Sequence, residues 1–172
     1  MDVECERSDL SFDTAKSIRY HSYRRSYFKN FENLTKILTA VSGTAAFVSI
    51  LGEMRIISLF FSLLIAIAAT SDLVIDFSER ATLYDRLYKE FCDLGISIET
   101  NENPTTHDIV DWKRKRLELE REEPTPIDLL ERRCSAEECR ARGWDVPPEW
   151  DLSRCQIFYS RIALFAPPWR SR

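Results

Sequence analysis

Side chains able to do chemistry are sparse in this chain of 172 residues. Cysteines stand at positions 5, 92, 134, 139 and 155, and histidines at 21 and 107. Cys134, Cys139 and Cys155 with His107 are the combination that could offer sulfur and nitrogen to zinc. No Cys-x-x-Cys pair occurs, and the spacing fits neither a ribbon nor a finger. The cysteine number is odd, and residues 1–13 are acidic without the apolar core of a secretory leader. The thiols are therefore expected to be reduced and packed as small apolar groups, with no metal and no cofactor. Asp72 and Asp76 lie four apart on one helix face, but acids there are more simply solvated. No Cys–His or His-Glu-x-x-His arrangement is present, so no catalytic residue is nominated and no enzyme is expected. Gly43, Gly52, Gly95 and Gly143 do not cluster, which excludes a phosphate-cradling loop. A formal net charge of −4 argues against a general nucleic-acid binder.

The remaining candidates are hydroxyls and small residues within an apolar window. Between Ile37 and Ser71 the charged side chains are Glu53 and Arg55. Ile37–Gly52 and Ile56–Ser71 are uncharged runs, each a little short of the ~20 residues that cross a bilayer as a helix. The second extends through Leu73-Val-Ile75 past Asp72, and the first borrows Leu34 and Thr35, with Lys36 snorkelling toward headgroups. Spans of about 35–52 and 56–76, joined by Gly52-Glu-Met-Arg55, make a membrane hairpin. A buried hairpin in a soluble helical protein is the alternative. Apolarity around the whole circumference of the second run favours the membrane.

Lys16, Arg19, Arg24, Arg25, Lys29 and Lys36 precede the first span against Glu32 alone, so both termini are expected in the cytoplasm. Lys36, Glu53, Arg55 and Asp72 then mark the membrane boundaries. The second span is bulky and suits lipid. The first carries Thr39, Ser42, Gly43, Thr44 and Ala46, small enough for close helix approach. Those residues pack against the partner span, or against further copies in a homo-oligomer whose lumen they line.

The flanking segments read as helices. Tyr20, Tyr23, Tyr27, Phe31 and Leu34 recur at spacings of three and four, and so do Phe77, Ala81, Tyr84, Tyr88 and Phe91. Such spacing is coiled-coil-like, and the two helices should pack together below the bilayer, with His21 among the tyrosines. Ser11 or Asp13 can cap the first helix near Thr14, Thr106 a charged helix to Glu123, and Thr125-Pro126 a third that ends near Gly143. Leu152–Ala166 reads as a last apolar helix, with Trp169 and Arg170 beyond it. The Lys113–Arg116 run is a solvated face beside Glu118, Glu120, Glu122 and Glu123 rather than a nucleic-acid site. The fold class expected is all-α: a transmembrane helical hairpin extended into an antiparallel coiled-coil-like bundle, plus C-terminal helices. Its parts are an acidic segment 1–13, the hairpin with its extensions 14–100, and a helical region 101–172.

Ala15-Lys-Ser-Ile-Arg-Tyr-His-Ser-Tyr-Arg-Arg25, the paired spans, and Arg80-Ala-Thr-Leu-Tyr-Asp-Arg-Leu-Tyr-Lys-Glu-Phe91 together resemble the SLATT superfamily of two-span bacterial membrane proteins. Pro126-Ile-Asp-Leu-Leu and Leu152-Ser-Arg-Cys-Gln are similar to the tails of such proteins. The resemblance covers most of the chain and describes architecture more than chemistry. It implies a pore-forming effector of the inner membrane in antiphage defence, with the lipid bilayer and a separate sensor or regulator protein as partners. A non-enzymatic membrane anchor or scaffold whose cytoplasmic helices bind a partner is the alternative.

Overall fold

A computed structural model of the chain describes residues 3–42, 56, 62–63, 65–68, 70, 75–153 and 156–157. The fold is all-α, with no strand among the described residues. Its main helices are α1 (Val3–Ser42), α2 (Phe77–Thr100), α3 (Thr106–Glu122) and α4 (Asp128–Ala141). No helix among the described residues is long and apolar enough to cross a membrane. Most of both expected spans, and nearly all of the expected last helix, lie outside the described residues. The chain divides into two compact units, one of Met1–Arg24 with Tyr84–Arg172 and one of Arg25–Leu83.

In the first unit α1 begins at Val3, well before the expected caps at Ser11 and Asp13. The acidic N-terminal residues hold no proline or glycine to stop a helix, and glutamates at positions 4 and 6 suit its positive end. Tertiary contacts hold that turn as well: Leu10 is buried, and Arg7 donates to the carbonyls of Ile98 and Glu99. Ser11 Oγ donates to Glu99 Oε1 at 2.6 Å, which places the start of α1 beside the end of α2. Further along, His21 stacks on Phe91, so the two helices run antiparallel in this unit, as expected. Tyr84, Leu87, Phe91, Leu94 and Ile98 supply the buried seam of α2. That seam continues past Gly95 to Ile98. A Cβ at Gly95 would stand 3.3 Å from Ile18 Cδ1, so the missing side chain lets α1 approach closely.

The caps of α3 and α4 each differ from expectation by a residue or two. Thr105, not Thr106, caps α3 in a reciprocal box: its Oγ1 accepts from Asp108 N, and its own N–H donates to Asp108. That hydrogen bonding holds the Asp108 carboxyl below its usual range. Pro124 follows the C-cap Glu123 and ends the helix. Ile127 is the N-cap of α4 and provides no side-chain cap, so Thr125 does not play that part. Instead Ile127 N–H donates to Tyr20 Oη at 3.2 Å. At the other end Trp144 N donates to Cys139 O and Gly143 N to Arg140 O. With Gly143 at φ 72, these are the paired bonds of a Schellman stop, as the sequence expected.

In the second unit Phe28, Phe77 and Ala81 are buried, and Phe31 and Phe77 meet with centroids 5.5 Å apart. Asp76 stands outside the helix at φ 50. Its carboxylate accepts from Glu79 N at 3.0 Å, so it caps α2. It is therefore not one of two acids on a continuous helix face. Asp is among the few residues that tolerate this left-handed backbone.

Candidate functional site

Polar side chains are concentrated along the side of α1 that the first unit buries. Thr14, His21 and Arg24 are all buried there. The His21 ring is 0% exposed, stacked on Phe91 at 5.0 Å and edge-on to Tyr20. Its Nε2 lies 2.6 Å from Glu123 Oε1, while Nδ1 is buried without a hydrogen-bond partner. Arg24 donates to Tyr84 Oη at 3.0 Å, and its guanidinium also lies 4.9 Å above the Tyr84 ring. Burial pushes the Tyr20 hydroxyl up to about 12, so it stays a neutral donor and acceptor. His21 has no solvent face and one nitrogen already engaged. It can tie α1 to the end of α3, but it cannot meet a substrate.

Beside this cluster opens a cleft of about 350 Å³ lined by Lys16, Tyr20, Arg116, Glu120, Glu123 and Glu131 among others. Its cations are already matched. Lys16 Nζ lies 3.1 Å from Glu131, and Arg116 bridges Asp13 at 2.5 Å and Glu120 at 2.7 Å. The cleft wall is a set of internal ion pairs.

A second polar cluster fastens α4 to α1. The Glu138 carboxylate accepts from Arg19 Nε and Arg142 Nε, each at 2.8 Å. Burial alone would raise the Glu138 carboxyl, but the two arginines outweigh it and hold the group below its usual range. Arg142 also donates to Ser11 Oγ and lies over the Phe12 and Trp144 rings. Arg133 lies 4.4 Å above Tyr23, whose hydroxyl donates to Glu137. Among the described residues no group of three His, Cys, Asp or Glu side chains could hold a metal. Cys134 and Cys139 are buried and Cys5 is exposed, with Cys155 outside the described residues.

Of the residues expected to pack or line a pore, Thr39 lies exposed on α1, and its hydroxyl donates to Thr35 O at 2.8 Å. Ser42 is the last residue of α1. Gly43, Thr44 and Ala46 lie outside the described residues, as do the boundary residues Glu53, Arg55 and Asp72. Lys36 is exposed and donates to Glu32, whose carboxyl that bond holds below its usual range, with help from Ser78. The polar cluster of α1 was not legible beforehand, because the aromatic stripe drew attention one residue away from the buried line. Comparison with protein-family models, with curated proteins and with solved structures finds no match.

Proposed function

We propose that the chain is a two-span membrane effector. It assembles into a homo-oligomer and permeabilises the bacterial inner membrane without catalysing a reaction, in antiphage defence triggered by a separate sensor. The observation that carries this is where the apolar surface lies. Leu34, Ile37 and Val41 are exposed at the end of α1, with Ile37 at 60%, and so are Ile56, Leu63 and Ile67, with Ile56 at 84%. These six sit in or at the edge of the window that holds almost no charge. The aromatic rings of Tyr84 and Phe91, outside it, are fully buried. Ile96, Val110, Leu117 and Trp144 are exposed elsewhere, but six exposed bulky side chains within one nearly uncharged stretch are costly in water and ordinary in lipid. The resemblance to SLATT proteins supplies the effector part, and the small residues Thr39, Ser42, Gly43, Thr44 and Ala46 supply an assembly surface.

Two measurements test it. Carbonate extraction should leave the chain in the membrane pellet, and release into the supernatant overturns the integral placement. Purified protein in liposomes should then pass ions. A chain that inserts and oligomerises without ion flux, and that leaves the potential of inhibited cells intact, is instead an anchor for a partner protein.

A further inference from the structure

Asp76 interrupts the chain between two helical stretches. Ile75 is helical, as are residues 62–63, 65–68 and 70, and α2 begins at Phe77. A helix running on through Asp76 would bond Glu79 N–H to the carbonyl of Ile75, four residues back. At φ 50 Asp76 cannot continue that ladder, and two side chains take up both groups. Asp76 Oδ1 accepts from Glu79 N at 3.0 Å, and Arg80 Nε donates to Ile75 O at 2.9 Å. The donor and the acceptor that the break frees are thereby both satisfied. The surroundings change at the same point. After it Phe77 is buried against Phe28 and Phe31 of α1, and Ser78 donates to Glu32 at 3.2 Å. Before it Leu63 and Ile67 are more than half exposed. Within this unit α1 has no such break and is helical from Arg25 to Ser42.

We infer that Asp76 is a hinge with two discrete settings, about which the second apolar run pivots against α2. In the bent setting, the one in the structure, the side chains of Asp76 and Arg80 hold the freed backbone groups. In the straight setting Asp76 takes up ordinary helical angles, Glu79 N–H bonds Ile75 O, and both side chains are released. The exchange is local. It replaces two side-chain bonds and one unfavourable backbone conformation by one backbone bond. It disturbs no packed ring, because Phe77 stays against α1 in both settings. Neither setting then lies far below the other, as a switch requires. Hinges of this kind are a few residues at an element's end that absorb a large backbone change. The consequence for function rests on the two-span reading: the second span turns at Asp76, while α1 enters the first without a break. A span that tilts against its neighbour can open an oligomer without unfolding the helices that carry it.

The test reads a distance rather than ion flux, so a failed hinge and a failed pore are told apart. Spin labels are carried on keto-bearing unnatural residues in place of Ile67 and Lys89, both exposed, in the full-length chain in lipid nanodiscs. A straight helix would hold these backbone positions about 33 Å apart. Pulsed electron resonance should give the wild type a main distance well below that value. Asp76→Ala removes the cap and disfavours the left-handed backbone, so it should move the main population to the straight-helix distance. Arg80→Met frees Ile75 O but keeps the aliphatic stem, and should shift the distance the same way. Asp76→Asn can cap and tolerates the same backbone, so it should match the wild type. A wild type already at the straight-helix distance overturns the inference. An unchanged bent distance in Asp76→Ala also overturns it and assigns the break to the packing around it. Should that variant fail to fold, Arg80→Met decides alone. A chain that stays out of the nanodiscs removes the two-span reading, and the same distances are then measured in solution.

Discussion

The fully buried ring of His21, in the middle of α1, meets the carboxylate of Glu123 at 2.6 Å, where α3 ends. The contact joins segments 102 residues apart in sequence and leaves Nδ1 with no partner. Removing the carboxylate would leave both ring nitrogens buried and unsatisfied. Glu123→Ala should therefore cost about 2–3 kcal/mol in chemical denaturation. His21→Phe keeps the stack on Phe91 and abolishes the orphaned nitrogen, so it should cost clearly less. Equal costs for the two variants would mean that the unsatisfied ring nitrogens add nothing beyond the lost hydrogen bond.

Glu138 gives the unit an acid sensitivity. Its carboxyl is held below the ordinary value of 4.5 by Arg19 and Arg142. The unfolded chain therefore takes up this proton at higher pH than the folded chain does. The stabilisation is complete above the ordinary carboxylate range and is lost as pH falls through the lowered folded value. Urea midpoints measured from pH 6 downward should fall more steeply in the wild type than in Glu138→Gln. Parallel curves would show that Glu138 gains nothing from its arginines.

That the fold is all-α, and most of the aromatic seam of α2, could be read in advance. Of the expected Phe77, Ala81, Tyr84, Tyr88 and Phe91, all but the half-buried Tyr88 are buried, and Leu87 joins them. On α1 the same spacing marked Tyr20, Tyr23, Tyr27, Phe31 and Leu34, of which Tyr20 is buried, whereas most of the buried line runs through Thr14, His21, Arg24, Phe28 and Thr35. Hydrophobicity fails there because α1 is enclosed on more than one side in the first unit. Tyr23 reaches Arg133 and Glu137 on α4 while His21 faces Phe91 on α2. A seam made of hydrogen bonds between residues 60 to 119 apart has no local period to detect. The hydroxyls and small residues of the first span depend on neighbours that sequence alone does not supply.

Gly95 separates a packing requirement from a propensity cost. Glycine within a helix is about 1 kcal/mol worse than alanine. The added Cβ would lie 3.3 Å from Ile18 Cδ1, the movable end of a side chain, and 3.7 Å from Thr14 Cγ2. Gly95→Ala should thus be neutral or stabilising by up to about 1 kcal/mol, because Ile18 can yield a few tenths of an ångström. Gly95→Leu should cost about 1–3 kcal/mol through overpacking against α1. Thermal unfolding of both variants checks the order. A destabilised alanine variant would show that α1 cannot shift.

Cysteine reactivity should divide by burial. Burial pushes the Cys134 thiol up to about 12, with the Glu137 carboxylate adding to the effect. At neutral pH it holds almost no thiolate, the form that reacts. Cys5 is exposed. Brief maleimide treatment of the native chain followed by peptide mass spectrometry should modify Cys5 and spare Cys134, and denaturation should expose both. Native labelling of Cys134 would mean that α4 opens away from α1 on the labelling timescale.

The membrane proposal makes a sharper demand on the first span. Two helices cannot enclose a water path, since backbone and water must both be shielded from lipid by a ring of several. Thr39 lies on an exposed side of α1, and its hydroxyl donates to Thr35 O. Ser42 and Thr44 continue the hydroxyl series in the sequence. Replacing both by leucine keeps the span apolar, so insertion and carbonate resistance should persist while leakage and toxicity are lost. Gly43→Ile should instead block close approach and reduce the oligomer seen by sizing in detergent. An activated wild type that inhibits growth while the membrane potential holds would remove the pore and leave a partner-binding anchor. If the leucine variant leaks like the wild type, the lumen is lined by other residues.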